Sequence, residues 1–422
     1  MPSPEPRRER LVVVGNGMIG LRTIEELLER APQRYEIVVF AAEPHPGYDR
    51  VQLSALLAGR KQQGEIVTHP YSWYRAHGIR LHAGDPVIAI APAAKTVRSA
   101  SGLTLGYDRL LLATGSKPIA LPLPGLDLPG VCAFRDMADV ETMLGAAGRE
   151  RRAVVIGGGL LGLEAAWGLA QRQMAVTVVH LMPTLMERQL DATAASLLQR
   201  DLVRRGIAIS TNAQTEHILG AERVCGVRLA DGRTIAADLV VMAVGTRPNI
   251  ELAQAAGLDI NRGIAVGDDL RTSDPHIFAV GECVEHNGAT FGLLAPLWEQ
   301  ARVCAACLAG DSRARYRPPP VFASLKITGV NVFSAGVIAP ADDSDDLVTL
   351  SDAAGGTYKK LILRGDRLVG CVLFGDVADG PWYVDLIDAR TSATPWRDHL
   401  IFGRRIAETA GHADRSSAAL AA

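Results

Sequence analysis

The stretch Arg10-Leu-Val-Val-Val14-Gly15-Asn16-Gly17-Met18-Ile19-Gly20 decides the fold of this 422-residue chain. A short apolar, β-branched run gives way to glycine at every required place of a G-x-G-x-x-G turn, and Leu21 to Arg30 then reads as a helix. In such a strand, turn and helix, Gly15 permits the tight turn, Gly17 lets a pyrophosphate approach the backbone, and Gly20 lets the helix pack close to the strand. The phosphate then meets the helix N-terminus. The next strand, Glu36 to Phe40, ends shortly before Glu43, an acid about 20 residues past the last glycine and suited to hold a ribose hydroxyl. Together these features predict a dinucleotide site.

The signature returns. Ala153 to Ile156 is an apolar strand followed by Gly157-Gly158-Gly159-Leu160-Leu161-Gly162, then by a helical stretch, Leu163 to Arg172, and a strand, Ala175 to Val179. A second echo supports a duplication: Ala113-Thr114-Gly115-Ser-Lys-Pro118 and Ala243-Val-Gly245-Thr-Arg-Pro248 each close an apolar strand, Arg109 to Leu112 and Asp238 to Met242. A third piece, Thr272 to Cys283, is an apolar strand ending in Gly281-Glu282 and leading to a helix from Trp298. The pattern implies an α/β chain with two nucleotide-binding designs of one kind.

Composition narrows the function classes. Lys plus Arg number 44 against 46 Asp plus Glu, so no basic field exists to draw in a nucleic acid. No apolar run approaches the roughly 18 residues that a membrane span needs, and the polar N-terminus carries no signal-peptide core, so a cytoplasmic protein is expected. Six cysteines are too few for a disulfide scaffold. Cys304 and Cys307 form a lone C-x-x-C with no second pair to complete a metal site. They lie in the Ala-rich helical stretch Trp298 to Leu308, one turn apart, which favours core packing over redox or metal chemistry.

The two fingerprints, the paired echoes and the late Gly-acid strand resemble the two-dinucleotide-binding-domain flavoprotein superfamily. Several segments are more specific: Asn16 to Gly20, Tyr48-Asp-Arg50-Val-Gln-Leu-Ser54, Gly157 to Ala166, Leu185 to Asp191 and Phe291 to Pro296 are similar to the N-terminal flavin part of the NAD(P)H-dependent assimilatory nitrite reductase large subunit. The flavin subunits that feed assimilatory nitrate reductases share them. The resemblance implies two Rossmann-like domains, with an FAD domain at 1–120 and 247–315 interrupted by an NAD(P)H domain at 121–246. A small α+β C-terminal domain at 321–405 and a disordered tail at 406–422 follow.

It also implies that FAD takes hydride from NAD(P)H and passes electrons to a separate partner, a nitrate or nitrite reductase system. A small iron-sulfur or rubredoxin-like protein is the alternative acceptor, and a nicotinamide-sensing flavoprotein with little turnover the alternative from another class. No iron-sulfur or sirohaem module lies within the 422 residues, which is the ground for expecting a separate acceptor; a homodimer is an open option.

The resemblance places Gly281 and Glu282 on the ribityl chain, with Glu282 standing where most relatives carry Asp. Glu164 corresponds to a carboxylate that in related reductases pairs with a Lys beside the flavin N5, a position held here by Ala55. The redox cysteine of peroxide-reducing relatives also falls at Ala55. Arg50 is a candidate clamp on the FAD pyrophosphate or adenine. His180 ends the second strand of the nicotinamide domain, where an acid favours NADH and an Arg NADPH; it does neither, and because no Arg cluster follows, NADH is favoured. Beyond a Pro- and Arg-rich link, Arg313 to Pro320, four β-like runs between Val330 and Phe374 predict an antiparallel sheet, followed by a helix from Pro381 to Arg390. Between them Asp342, Asp343, Asp345 and Asp346 form an acidic loop.

Overall fold

The computed structural model describes residues 8–325, 327–352 and 354–409. The chain divides into two compact units: Met1–Leu56, Arg60–Ile119 and Thr246–Pro319 form the first, and Leu57–Gly59, Ala120–Gly245 and Pro320–Ala422 the second.

In the first unit a five-stranded, all-parallel sheet runs in the order Ile277–Ala279, Arg109–Leu112, Glu9–Val14, Tyr35–Ala41, Arg80–Ala83. Alternate residues of its central strand feed different cores. Leu11 and Val13 pack with Ile24 and Leu27 of the helix Met18–Arg30 and with Ala301 and Cys304 of the helix Leu294–Ala309. Val12 and Val14 pack on the opposite face with Val38, Phe40 and Val97, the last from a three-stranded antiparallel sheet spanning Val87–Ala91, Thr96–Ser99 and Thr104–Gly106. Burial on both faces explains why the strand reads as an unbroken apolar run.

The second unit repeats this plan. Its parallel sheet runs Val131–Ala133, Leu239–Met242, Arg152–Ile156, Ala175–Val179, Ala208–Ser210. A three-stranded antiparallel sheet, Thr215–Gly220, Val224–Leu229 and Thr234–Ala236, precedes the strand Leu239–Met242 just as its counterpart precedes Arg109–Leu112. The duplication therefore extends into elements whose sequences show no echo. In both units the helix after the fingerprint starts earlier than apolar spacing suggests, at Met18 and Leu160, because a glycine in extended backbone serves as N-cap.

The same unit holds a five-stranded antiparallel sheet, ordered Phe322–Ser324, Val332–Gly336, Arg367–Phe374, Thr357–Arg364, Asp345–Asp352, with the helix Gly380–Ala389 against it. Leu361, Leu363, Cys371 and Leu373 from the strands meet Trp382 and Tyr383 from the helix. The acidic loop is not a free patch. Asp345 is buried and takes both Arg364 nitrogens at 2.8 and 2.9 Å, which with the Ala341 N–H hold its carboxyl down at about 2. Asp346 pairs with Arg397, and Asp342 accepts from the Ser344 N–H at 2.8 Å. Of the expected tail at 406–422, residues 406–409 are helical with Ala407 fully buried; the rest falls outside the described residues.

One buried ionic cluster ties this sheet to the helix Ala192–Arg204. Asp191 caps that helix, its Oδ1 accepting the Ala194 N–H at 3.0 Å, while Oδ2 accepts the Tyr358 hydroxyl at 2.7 Å and Lys360 Nζ at 3.1 Å. Lys360 also donates to the Ile338 carbonyl at 3.1 Å. Burial, and after it the neighbouring carboxylate, pushes the Tyr358 hydroxyl well above its ordinary range. Among the described residues no helix is long and apolar enough to cross a membrane.

Candidate functional site

The first glycines of the two turns make corresponding contacts. A Cβ on Gly15 would lie 2.1 Å from the Ala113 carbonyl oxygen, and one on Gly157 would lie 2.2 Å from that of Ala243; both glycines have positive φ, +116° and +119°. Ala113 and Ala243 are the first residues of the echoed hexapeptides, so the echo has a physical cause: each hexapeptide supplies the carbonyl that rests on the first glycine. The third glycines are also close to the first, with the Gly15 oxygen 3.0 Å from a Cβ on Gly20 and the Gly157 oxygen, closer still, 2.0 Å from one on Gly162. The middle glycines differ from both. A Cβ on Gly17 or Gly159 would meet nothing within 4 Å, so their role lies toward solvent and not toward the fold. Each caps its helix without a side-chain hydrogen bond, leaving first-turn N–H groups facing that open space. This cradle fits a pyrophosphate, whose charge also suits the positive end of the helix dipole.

Around the first cradle the fold fixes the other expected residues. Asn16 is held by the Tyr74 hydroxyl at 2.8 Å, and Ile19 is buried while Met18 stays partly open. Asn249 clamps the Thr114-Gly115 turn, donating from Nδ2 to the Thr114 carbonyl at 2.8 Å and accepting the Thr114 hydroxyl at its own carbonyl, 3.0 Å. Glu282 accepts the Ser116 hydroxyl at 2.8 Å. Gly281, at φ +90°, lies over Ile19, and its N–H donates at 2.7 Å to Oε1 of Gln300, a fully buried glutamine that the sequence did not single out. Glu43 accepts the Tyr48 hydroxyl at 2.6 Å and pairs with Arg50, whose guanidinium lies over the Tyr48 ring. Arg50 is thus paired with the acid expected at the ribose.

Around the second cradle Leu160 and Leu161 open the helix, with Leu161 exposed, and Gly245 turns the chain at φ +110°. Glu164 is buried in the second turn of that helix. His180 is buried too: Nδ1 accepts the Gly158 N–H at 3.0 Å, and Nε2 lies 3.1 Å from Glu187 Oε2. A Cβ on Gly158 would come within 2.8 Å of the His180 ring, which explains a third glycine where the fingerprint asks for none. Sequence reasoning did not single out Glu187; its position beside a strand end could have been found only by asking what folds back onto His180.

Cys304 and Cys307 lie in the core on the helix Leu294–Ala309, and burial pushes both thiols up, Cys304 far above the ordinary thiol range. Neither is a ready nucleophile or redox partner.

Residues 9–306 match the family model described as pyridine nucleotide-disulphide oxidoreductase, and residues 322–391 the one described as rubredoxin NAD+ reductase C-terminal domain. The chain is 48% identical over 373 residues to the NAD(P)H nitrite reductase of Bacillus subtilis (strain 168), covering 88% of this chain and 46% of that protein. It is 44% identical to the assimilatory nitrate reductase electron transfer subunit of the same organism, covering 88% and 48%. It therefore spans about half the length of these relatives. Among solved structures, that of the covalent putidaredoxin reductase-putidaredoxin complex superposes with a TM-score of 0.84 at 26% identity, covering 92% of this chain and 94% of that one.

Proposed function

From a chain that belongs to the pyridine nucleotide-disulphide oxidoreductase family, we propose an FAD-dependent NAD(P)H oxidoreductase that passes electrons to a separate acceptor. The observation that carries this reading is the pair of superimposable glycine cradles, one in each unit, each with an open middle glycine and uncapped helix N–H groups. The first cradle holds FAD, with Gly15, Gly17 and Gly20 at the pyrophosphate, Glu43 at the adenosine ribose and Gly281-Glu282 at the ribityl chain. The second takes the nicotinamide nucleotide at Gly157, Gly159 and Gly162. This assigns residues 1–120 and 247–315 to FAD and 121–246 to NAD(P)H, with 321–405 as a further domain; the bounds of the first unit support the FAD segments, while 120–245 and 320–422 fall together in the second unit. Bound FAD supplies hydride acceptance from NAD(P)H and release of electrons.

The protein contributes position and exclusion. Gln300 fixes the N–H of Gly281, and Ser116 fixes the Glu282 carboxylate, so both groups are set before a ligand arrives. No thiol follows Leu53-Ser54, where Ala55 stands, and the C-x-x-C is core, so electrons leave without a protein disulfide. The double variant C304A/C307A is accordingly expected to keep wild-type rates of flavin reduction and acceptor reduction; loss of either in a folded variant would return the pair to the mechanism. We assign Glu164 to the reduction step. E164Q is expected to slow flavin reduction by NADH about tenfold in stopped flow, roughly 1.4 kcal/mol in the barrier, and an unchanged rate would remove it from that role.

The acceptor we favour is a nitrate or nitrite reductase system, after the two Bacillus relatives. An iron-sulfur or rubredoxin-like protein is the second reading, favoured by the C-terminal family match and by the putidaredoxin complex. Rapid anaerobic bleaching by NADH with turnover to ferricyanide tests the oxidoreductase against a nicotinamide-sensing flavoprotein, which would bleach slowly and pass nothing on. Co-purification with a molybdenum- or sirohaem-containing protein decides between the acceptors. All six cysteines are free, which fits a reducing, cytoplasmic setting.

A further inference from the structure

The strand Ala175–Val179 ends where a nucleotide-binding domain ordinarily presents an acid to the ribose 2′-hydroxyl, and the next residue is His180. That imidazole is already spent. Its Nδ1 accepts the Gly158 N–H at 3.0 Å, so the ring is neutral with its proton on Nε2, which donates to Glu187 Oε2 at 3.1 Å. No ring nitrogen is left for a ligand, and the ring is turned inward at 10% side-chain exposure.

The group beyond it is the Glu187 carboxylate. Its side chain is 31% exposed, three times as open as the histidine that holds it, and the hydrogen bond from His180 engages one oxygen, Oε2. The backbone is bent to put it there. Met186 sits at φ +52°, a left-handed conformation uncommon outside glycine, and donates its N–H to the Gly158 carbonyl at 3.0 Å. Both backbone groups of Gly158 are therefore taken, the N–H by His180 and the carbonyl by Met186, while Leu185 and Met186 are buried beneath the loop. The carbonyl of Met186 in turn accepts the N–H groups of Gln189 and Leu190 at 2.8 and 2.9 Å. The reversal at Met186 returns a residue eight positions past the strand to the strand end and clips it to the phosphate-binding turn.

Resting on the reading of the second unit as the nicotinamide site, we propose that Glu187, carried by His180, is the acceptor for the adenosine ribose 2′-hydroxyl, so that the protein selects NADH over NADPH. A carboxylate there accepts the hydroxyl of NADH and repels the 2′-phosphate of NADPH. The substitution Glu187→Gln isolates this role, because its amide oxygen still accepts from His180 and only the charge is lost.

The test is calorimetric titration of the FAD-loaded protein with NAD+ and with NADP+, beside KM values for NADH and NADPH. Wild type is expected to bind NAD+ at least tenfold more tightly than NADP+. In E187Q the NAD+ to NADP+ affinity ratio should fall about tenfold, with the KM for NADH rising and the melting temperature near wild type, and E187D should recover part of the ratio. An unchanged ratio in E187Q, with both nucleotides still binding, overturns the role of Glu187. A wild type that prefers NADP+ overturns the selectivity, and one that binds neither nucleotide overturns instead the reading of the second unit.

Discussion

Gly15→Ala is expected to give a colourless protein. The new methyl would stand 2.1 Å from the Ala113 oxygen and 2.7 Å from its carbonyl carbon, with φ at +116°. Neither side can give way: the Ala113 N–H is bonded to the Val14 carbonyl at 2.8 Å, the Gly15 N–H to that of Phe40 at 2.8 Å, and Val14 is in register with both Leu112 and Phe40. The left-handed backbone alone costs about 1–2 kcal/mol for a residue with a Cβ, and relieving the clash means parting the strand from the turn. Flavin per protein, read from the absorbance ratio after purification, should fall at least tenfold and the melting temperature should drop with it. Gly17→Ala makes the control. Its methyl meets nothing within 4 Å, so the fold should keep wild-type stability while FAD affinity falls, because only the approach of the pyrophosphate is obstructed. A Gly17→Ala protein that binds FAD as wild type does would mean that phosphate does not lie against this turn.

Asp191→Ala is expected to produce the largest loss of stability. One carboxylate caps the helix Ala192–Arg204 and receives both Tyr358 and Lys360, and it is 16% exposed against 10% for the lysine. Removing it leaves an ammonium and a phenol without their acceptor, a change that costs about 3–5 kcal/mol when the surviving charge is buried. Asp191→Asn retains the oxygen for the cap but puts an NH2 donor where Tyr358 and Lys360 are received, so it should recover only the capping part of the loss. Lys360→Met, which removes the buried cation and keeps much of its volume, should be milder than Asp191→Ala, since the carboxylate keeps its cap and its phenol. Urea unfolding with separate probes in the two units should show the transition of the second unit moving and that of the first unchanged. Equal shifts in both would place the cluster's effect on the whole chain.

The parallel sheets were legible because their strands are buried on two faces and the turns between them demand glycine. A run such as Leu11 to Val14 followed by Gly15 leaves little else to be built. What escaped was whatever depends on distant residues returning to a turn. Gln300 reaches Gly281 from a helix 19 positions away, and Arg397 reaches Asp346 from 51. The acidic loop read as charge on display because composition cannot show Arg364 and Arg397 facing it. Glu187 was hidden for another reason: its place depends on one left-handed residue, Met186, and a methionine gives no sign in sequence that it will adopt such a backbone. His180 does follow the strand end, but its two ring nitrogens are engaged by Gly158 and Glu187, neighbours that its own place in the sequence does not reveal.

The echoed hexapeptides carry one more consequence. Their closing residues, Ser116–Pro118 and Thr246–Pro248, pair with each other as a short antiparallel ribbon, Lys117 opposite Arg247. The ribbon, which lies within the first unit, thus brackets residues 120–245 with two strands that are already hydrogen-bonded to each other. In sequence, residues 120–245 of the second unit are inserted between those strands like a cassette. A gene can therefore gain, lose or exchange the cassette in one event while the flanking strands keep their register, and a short turn joining Pro118 to Thr246 is the splice by which the first unit could be made as an uninterrupted chain.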